Sequence, residues 1–325
     1  MNFSEIEKTE LHLHLEGAAP PAFIRRLAQE KRVNMDGVFD ENGAYVWATF
    51  IEFLATYERA CEVLKSPEDF GRLMAAVLEE QAAHGVIYTE HFLAPDFCGG
   101  GDLVAWKEYL AAMTEAAEAS PVEVRFIPTC VRHMGPEQAK ITAHVSAETA
   151  GGLVTGFGMG GDESQFAAAD FAYAFDMARE AGLGLTSHAG EVEGASSVSE
   201  TLDALKVSRI GHGVRSIEDP ALVARLAEEG VVLEVCPGSN IALGVFADLK
   251  AHSISALRDA GVAVTVSTDD PPYFHTDMTS EYRGLTEQLG WTQADFDAIN
   301  QAAMKAAFCD EATRATLLAK FNGAD

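Results

Sequence analysis

The sequence contains no apolar stretch long enough to cross a membrane. Its hydrophobic runs fall short of the roughly 18 consecutive apolar residues that a membrane-spanning helix needs, although 48% of its 325 residues are hydrophobic. The first ten residues, MNFSEIEKTE, are charged and lack the apolar centre of a secretion signal. We therefore expect a folded protein located in the cytoplasm, with no membrane partner.

Cysteine and basic residues are both scarce. The five cysteines are scattered without a C-x-x-C pair, which is typical of reduced thiols and argues against cysteine as a metal ligand. Only 23 lysine and arginine residues accompany 50 aspartate and glutamate residues, so the formal net charge is -27. Because nucleic acids and anionic lipids are bound through basic patches, this charge argues against either partner.

Several common catalytic motifs are also missing. The sequence has no Walker A loop, no H-E-x-x-H zinc motif and no G-x-S-x-G nucleophile turn. The segment GFGMGG at 156–161 matches the G-x-G-x-x-G dinucleotide fingerprint. That fingerprint must lead directly into a helix and be followed by an acidic residue about 20 positions later. We interpret the segment instead as a glycine-rich loop between a strand and a helix of a barrel, where only a close approach of the backbone is required.

The sequence does contain short β-rich runs that alternate with longer amphipathic segments. Eight strands are predicted, at residues 10–15, 86–92, 122–129, 153–157, 183–187, 209–211, 231–235 and 262–268. Helical patterns lie between them, as in IEDPALVARLAEEG, where Asp219 can cap the helix, Pro220 opens it and Gly230 ends it. Eight strand and helix units predict an α/β fold, the (β/α)8 or TIM barrel.

Two regions lie outside the eightfold repeat. Residues 18–85 form a helical insertion after the first strand, and residues 292–321 form extra C-terminal helices. No linker, low-complexity segment or internal repeat divides the chain. We therefore expect one barrel domain over residues 1–325.

Ionisable residues follow four of the predicted strands, where a (β/α)8 barrel carries its chemistry. They are His12, His14 and Glu16 at the end of the first strand, His188 and Glu191 after the fifth, His212 after the sixth, and Asp269 and Asp270 after the eighth. In the opening segment LHLHLEG, alternate residues of an extended strand share a face, so the rings of His12 and His14 converge. Alone, this pair is equally typical of packed structural histidines. With the three further strand ends it indicates a metal site.

Zinc fits this set of residues, because it binds imidazole nitrogen and carboxylate oxygen and keeps one position for water at catalytic sites. The predicted ligands are His12, His14, His188 and Asp269. One ion is favoured over two, since the fourth strand offers no lysine or acidic residue to bridge a pair. Glu191 lies close enough to serve as an acid or base without binding the metal. His212 is also compatible with a packed, hydrogen-bonded residue.

The other six histidines stay outside this hypothesis. Surface positions are predicted for His84, His133, His144 and His252. His91 near the end of the second strand, and His275 after the TDDPPYF loop, are left open as residues that contact the site or its substrate.

Six motifs occur in an order that resembles the adenosine and adenine deaminase family of zinc-dependent (β/α)8 hydrolases. They are LHLHLEG, GGDE at 160–163, TSHAGE at 186–191, RIGHG at 209–213, EVCPGSN at 234–240 and STDDP at 267–271. The likeness covers nearly the whole chain. It implies one zinc ion per chain, held by the four predicted ligands, with water as the remaining ligand.

The resemblance also implies roles in purine deamination. A zinc-activated water attacks C6 of the purine, Glu191 protonates N1, and His212 helps to deprotonate and orient the water. Asp270 hydrogen-bonds N7, and the backbone N–H of Gly161 meets N3. Ammonia then leaves from a tetrahedral carbon.

Two features bear on the substrate. Phe53, Leu54 and Tyr57 look like the apolar lid that closes over the substrate in this family, although packing of a helix onto the barrel explains them equally well. Glu16 stands where adenosine deaminases usually carry aspartate. Glutamate there resembles the branch that accepts free adenine or N6-substituted adenines, because an extra methylene enters the space of the sugar.

We therefore expect zinc-dependent hydrolytic deamination of a 6-aminopurine in purine salvage, converting adenosine to inosine or adenine to hypoxanthine. Three alternatives stay open: a deaminase of N6-substituted adenine, a mononuclear barrel hydrolase acting on another heterocycle or an amide, and a non-catalytic barrel. The expected partner is a small purine base or nucleoside, and a homo-oligomer is not excluded.

Overall fold

The computed structural model describes residues 1–321 and contains a barrel of eight parallel strands. Each strand pairs with the next one in the chain, from the first to the eighth. The strands are β1 (Lys8–His14), β2 (Val86–Leu93), β3 (Glu123–Val131), β4 (Gly156–Gly160), β5 (Gly184–Ala189), β6 (Arg209–His212), β7 (Val232–Val235) and β8 (Ala263–Val266). The predicted (β/α)8 fold is confirmed.

Helices surround the barrel and fill the two extra regions. Before β2 lie α1 (Pro21–Lys31), α2 (Phe50–Cys61) and α3 (Pro67–Ala83). The helices between β2 and β8 are α4 (Leu103–Glu118), α5 (Pro136–Ala147), α6 (Ala172–Glu180), α7 (Ala195–Leu205), α8 (Pro220–Glu229), α9 (Pro237–Ala242) and α10 (Ile254–Asp259). After β8 come α11 (Pro271–Phe274), α12 (Met278–Leu289), α13 (Gln293–Ala306) and α14 (Glu311–Phe321). The helical insertion and the C-terminal helices are therefore present as predicted.

Helix α8 shows how local sequence signals set an element. The Asp219 side chain accepts hydrogen bonds from the backbone N–H groups of Ala221 and Leu222, and Pro220 occupies the first turn. Gly230 ends the helix with a left-handed φ of 68°, a conformation that glycine adopts without steric cost. Both predicted ends of this helix are confirmed.

The barrel closes where the first strand meets the segment after the last. The backbone N–H of Asp269 donates to the carbonyl of His12, and the N–H of His14 donates to the carbonyl of Asp269, both at 3.1 Å. The Ser267 hydroxyl accepts from the N–H groups of Leu11 and His12 at 3.2 Å. Three of the four predicted metal ligands therefore supply the backbone groups that close the barrel.

The predicted fourth strand is wrong in position. The strand runs over Gly156–Gly160 instead of 153–157, and Val154 contributes only isolated bridges. Glycine has a low strand propensity, so the GFGMG segment carries no β signal of its own. Packing selects glycine here, because a Cβ at Gly156 would lie 2.5 Å from Cδ1 of Ile127. The interpretation of GFGMGG as a loop is therefore wrong, because residues 156–160 form β4. The segment does not lead directly into a helix, so it lacks the structure that the dinucleotide fingerprint requires.

The other strands lie where they are predicted, with ends that differ by at most two residues. Glu16, predicted as the end of the first strand, lies in the turn just after it. Over residues 1–321, no helix is both long enough and apolar enough to span a membrane.

The end of the barrel opposite the strands' C-termini is filled by Phe308. Its ring lies 3.6 Å beneath the guanidinium of the buried Arg209, and its backbone N–H donates to Glu90 at 2.6 Å. A Cβ at Gly184 would lie 2.3 to 2.5 Å from three ring atoms of Phe308. Since these contacts hold the ring, β5 has room only for glycine at this position.

We therefore expect Gly184→Ala to lower the free energy of unfolding by about 1–3 kcal/mol, the usual cost of overpacking. Urea denaturation measures this change. Gly194→Ala is the matched control, because a Cβ there would meet nothing closer than 3.6 Å. Phe308→Leu should lower the free energy of unfolding by less in the Gly184→Ala variant than in the wild-type protein. Equal stability of the two alanine variants would contradict the packing argument.

Candidate active site

The side chains predicted for the site lie together at the C-terminal mouth of the barrel. One pocket is lined by His14, Glu16, Phe53, Leu54, Tyr57, Gly161, His188, Glu191, His212, Asp269 and Asp270. His12 is fully buried, and its ring centroid lies 4.5 Å from that of His188 and 4.8 Å from that of His212. The structure therefore brings all twelve predicted site residues into one place.

Donor atoms of the four predicted ligands lie close to one another in three pairs. Oδ1 of Asp269 lies 3.4 Å from Nε2 of His12 and 3.3 Å from Nε2 of His14. Nε2 of His14 lies 3.1 Å from Nε2 of His188. Ligand atoms about 2.0–2.1 Å from a tetrahedral zinc ion lie roughly 3.3 Å apart. These three distances are compatible with ligands of one zinc ion.

Hydrogen bonds behind the rings set which nitrogen faces this centre. Nδ1 of His12 contacts Oε2 of Glu234 at 2.8 Å, and Nδ1 of His188 contacts the carbonyl of Met159 at 2.7 Å. Both partners are acceptors, so each Nδ1 carries the proton and each Nε2 presents its lone pair, as metal ligation requires. Nε2 of His12 is buried and has no hydrogen-bond partner among residues 1–321. This unpaired atom fits a metal ligand.

His212 also lies near the donor cluster. Its Nε2 is within 4.8 Å of donor atoms of His12, His188 and Asp269. Nε2 of His212 is 3.8 Å from Oδ2 of Asp269 and 3.6 Å from Oε1 of Glu191. These distances are longer than those from Nε2 of His14 to Asp269 and His188, 3.3 and 3.1 Å. The buried group of His12, His188, His212 and Asp269 could therefore hold a metal, and His14 forms a second group with Asp269 and Asp270.

A buried ion pair supports His12 from behind. Glu234 accepts from the Thr186 hydroxyl at 2.9 Å and pairs with Nε of Arg209 at 2.6 Å. Arg209 also pairs with Glu90 at 2.7 Å. Sequence reasoning missed this network, although Glu234 and Arg209 lie in the quoted motifs EVCPGSN and RIGHG. No spacing rule connects two residues that meet only because β6 and β7 are adjacent.

The Glu191 carboxyl group lies in a buried loop that a second carboxylate holds in place. Glu163 accepts hydrogen bonds from the backbone N–H groups of residues 190–193 and from the Ser197 hydroxyl. Burial and the nearby charges of Asp269 and Glu163 raise the pKa of Glu191 well above its ordinary value. The raised pKa favours the protonated form of this carboxyl group, the form that a proton donor needs. Sequence reasoning quoted Glu163 only within GGDE and assigned it no contact.

Asp270 lines the pocket beside the donor cluster, and one of its carboxylate oxygens lies within 4.8 Å of donor atoms of His14 and Asp269. Its Oδ1 is buried and unpaired within the described part of the chain, residues 1–321. Burial, followed by the charges of Asp269 and Glu191, raises the pKa of Asp270 well above its usual value. A Cβ at Gly17 would lie 1.5 Å from this oxygen, so the glycine of LHLHLEG is needed for the carboxyl group to reach the pocket.

Glu16 closes another side of the pocket. Its Oε1 accepts from the backbone N–H of Ala94 at 3.2 Å, and the Tyr57 hydroxyl lies 3.5 Å from Oε2. Burial raises the pKa of Glu16 to about 7. Phe53 of α2 packs on Phe274 and Tyr273, with ring centroids 5.1 and 5.4 Å apart. The α2 side chains therefore both line the pocket and pack onto the barrel.

Two of the site residues have unusual backbone conformations. His212 has a φ of 60° and Asp269 a φ of 69°, both in the left-handed region. Residues other than glycine pay on the order of 1–3 kcal/mol there, and such strain occurs mostly at functional sites. The surrounding hydrogen bonds at the end of β6 and at the barrel seam hold these conformations, which no sequence pattern indicates.

The predicted surface position is wrong for His252. His252 is buried and contacts Oδ1 of Asn240 at 3.2 Å, because its loop folds under α9. His133 is partly exposed but lines the mouth of the pocket, where it contacts Glu58 of α2 at 3.2 Å. His144 is exposed as predicted. His84 is partly exposed and contacts Thr279.

The two histidines that the sequence left open do not line the pocket. His91 is buried within β2 and contacts Oε1 of Gln81 at 2.9 Å. His275 lines a different cavity, beside Pro237 and Glu281.

Comparisons with known proteins agree with this geometry. The sequence profile of the family described as adenosine deaminase matches residues 7–323. An adenine deaminase of Rhizobium rhizogenes (strain K84 / ATCC BAA-868) is 48% identical, over 98% of this chain and 99% of the relative. An adenine deaminase of Agrobacterium fabrum (strain C58 / ATCC 33970) is 46% identical, over 99% of both chains. The crystal structure of adenine deaminase from Arthrobacter aurescens superposes with a TM-score of 0.88, at 29% identity over 97% of both chains.

A further solved structure carries a metal. The structure of an amidohydrolase from Burkholderia ambifaria with bound zinc has a TM-score of 0.84 to this chain. It is 25% identical and covers 98% of this chain and 90% of its own.

The contact between Glu234 and His12 generates a prediction about metal affinity. We expect Glu234→Gln to weaken zinc binding by roughly 10- to 100-fold, as is usual when the partner of a metal-binding imidazole is replaced. Competition with a chromophoric chelator measures this affinity without any turnover. Glu229→Gln on the exposed end of α8 is the control and should bind zinc like the wild-type protein. An unchanged affinity in Glu234→Gln would show that this carboxylate does not orient a metal ligand.

Proposed function

The chain belongs to the adenosine deaminase family and is a deaminase, and from this premise we propose that it hydrolyses adenine to hypoxanthine and ammonia. The observation that carries the proposal is the juxtaposition of a buried histidine and aspartate cluster with the buried carboxyl group of Glu191, whose pKa is raised, in one pocket. Relatives at 46–48% identity are named adenine deaminases. These relatives give no support to adenosine, the nucleoside substrate expected as an alternative from the sequence.

We propose one zinc ion per chain as the cofactor. It would be held by His12, His14, His188 and Asp269, with a further position left for water, and the short distances of His14 to Asp269 and His188 support the inclusion of His14. When bound, the metal supplies a water molecule whose pKa is lowered towards 7, so that a nucleophile exists at neutral pH. The zinc-bound amidohydrolase with the same fold supports this choice.

Two buried carboxyl groups with a raised pKa are proposed to hold the purine. Adenine offers lone pairs at N1 and N7, so each nitrogen needs a donor. Glu191 is proposed to protonate N1, which makes C6 more electrophilic, and Asp270 is proposed to donate to N7. Both groups are buried and have a raised pKa. The backbone N–H of Gly161, at the rim of the same pocket, is proposed to meet N3.

The remaining side chains of the pocket are proposed to orient the attacking water, to exclude bulk solvent and to limit the size of the substrate. His212, 3.6 Å from Glu191, is proposed to orient the attacking water. Phe53, Leu54 and Tyr57 are proposed to exclude bulk solvent once the purine is bound. Glu16, held by Ala94 and facing Tyr57, is proposed to fill the space that a ribose would need. We therefore propose the free base as the substrate.

Replacement of Glu191 tests the chemistry. We expect Glu191→Gln to lower kcat for adenine by roughly 10²- to 10⁴-fold, because an amide cannot transfer the proton to N1. Zinc content should stay at the wild-type level, since the four ligands are untouched. Loss of the adenine ultraviolet absorption measures turnover, and elemental analysis measures zinc. Glu193→Gln, on the exposed side of the same loop, is the matched control. A Glu191→Gln variant with normal turnover would refute the proposed role.

Replacement of Glu16 tests the substrate. The wild-type protein should act on adenine with a far higher kcat/KM than on adenosine. We expect Glu16→Asp to shift the ratio of the two kcat/KM values towards adenosine by about tenfold or more, the usual value of one methylene group in a binding pocket. N6-methyladenine and an unrelated cyclic amidine serve as comparison substrates. A wild-type preference for adenosine, or for one of the comparison substrates, would contradict the proposal.

A further inference from the structure

Behind His212 lies a chain of buried polar side chains to which the proposed function assigns no role. We propose that Asn240 and His252 are positioning residues that fix the tautomer of His212, with its proton on Nε2 and directed into the active site. The catalytic meaning of this tautomer rests on the proposed function. The tautomer itself is a property of the folded protein and can be observed independently.

The chain consists of three hydrogen bonds in a row. Nδ1 of His212 lies 3.2 Å from the amide of Asn240, and the same amide lies 3.2 Å from Nε2 of His252. Nδ1 of His252 accepts from the backbone N–H of Ile254 at 3.0 Å. His212 and Asn240 are completely buried and His252 is 5% exposed. Solvent therefore does not compete for these groups.

The backbone end of the chain determines its direction. A backbone N–H can only donate, so Nδ1 of His252 carries no proton, and the neutral ring carries its proton on Nε2. This N–H needs an acceptor, which is the amide oxygen of Asn240. The amide NH₂ of Asn240 is then left to donate to Nδ1 of His212. A neutral His212 therefore carries its proton on Nε2.

The alternative arrangements are unfavourable. With the Asn240 amide reversed, its NH₂ would face the N–H of His252, and two donors would meet in a buried site. With His252 charged, both ring nitrogens would be donors, and the N–H of Ile254 would face one of them. Burial also lowers the pKa of His252 to about 4, which keeps this ring neutral.

The surrounding structure holds the chain in place. The backbone N–H of Asn240 donates to Cys236 at 3.0 Å, within the turn that opens α9. The His252 ring packs on Phe246, with ring centroids 4.6 Å apart. The hydroxyl of Ser253 donates to the carbonyl of Val214, two residues beyond His212, at 2.8 Å. The segment that carries His252 is therefore tied to the segment that carries His212.

The consequence concerns what His212 offers to the reaction. Its Nε2 faces Glu191 at 3.6 Å and Asp269 at 3.8 Å, and it has no hydrogen-bond partner within residues 1–321. As an N–H group it can donate to the oxygen of the attacking water, and it cannot accept a proton. This differs from the family-based expectation that His212 helps to deprotonate the water.

Nitrogen NMR of the zinc-loaded protein labelled with ¹⁵N-histidine observes the tautomer directly. The signals of His212 are assigned by their loss in a His212→Gln variant. We expect a protonated Nε2 and an unprotonated Nδ1 at neutral pH. A protonated Nδ1, with or without a protonated Nε2, would overturn the proposal. This measurement needs only the wild-type protein and one variant for assignment, and it stands even if the protein fails to deaminate adenine.

Variants of the chain test its effect on catalysis. Asn240→Asp keeps the shape but offers only acceptors, so it should draw a proton onto Nδ1 of His212. His252→Leu removes the donor that orients the Asn240 amide, whereas His252→Gln retains an N–H group in a similar place. We expect Asn240→Asp and His252→Leu to lower kcat by roughly 10- to 100-fold, with KM and zinc content near wild-type values, and His252→Gln to recover most of the loss.

The exposed His144→Gln is the control and should change none of these values. Two results would show that these residues do not position His212. One is a kcat of His252→Gln no higher than that of His252→Leu. The other is an Asn240→Asp variant with a wild-type kcat and no proton on Nδ1 of His212.

Discussion

The structure depends on the closure of the barrel between its first and last strands at Asp269. The backbone of this residue pairs with the backbones of His12 and His14, while its carboxylate faces the rings of the same two histidines. Barrel closure and assembly of the donor cluster are therefore one event. A metal bound by these groups also stabilises the closed barrel, because a ligand that binds only the folded state adds its binding free energy to folding. Closure holds Asp269 at a left-handed φ, a conformation that costs free energy for a residue other than glycine.

Buried carboxylates around the donor cluster orient the neighbouring groups of the site. Isolated charges are costly to bury, so each carboxylate must be paired or hydrogen-bonded. Glu234 satisfies this requirement through Arg209 and His12, and Glu163 through the backbone of residues 190–193. Each one thereby orients a group that carries chemistry. Within residues 1–321 the carboxyl groups of Glu191 and Asp270 accept no such hydrogen bonds, and their raised pKa is the physical basis for their proposed role as proton donors.

The sequence predicted those parts of the molecule that depend on local pattern. Alternation in LHLHLEG placed His12 and His14 on one face, and strand counting led to the barrel, whose geometry then grouped four distant strand ends. The sequence could not predict features that depend on packing between helices, strands and loops. The fourth strand was misplaced because glycines selected by close contact with Ile127 carry no strand propensity. His252 was placed on the surface because a lone histidine in a loop gives no sign that Asn240 lies above it.

Stepwise addition of zinc to the metal-free protein, with adenine turnover recorded at each addition, tests the central claim most directly. The account predicts that hypoxanthine formation is absent without metal, rises in proportion to added zinc and stops rising at one equivalent per chain. Full turnover by the metal-free protein, a plateau at two equivalents, or no turnover of adenine by the zinc-loaded protein would contradict it.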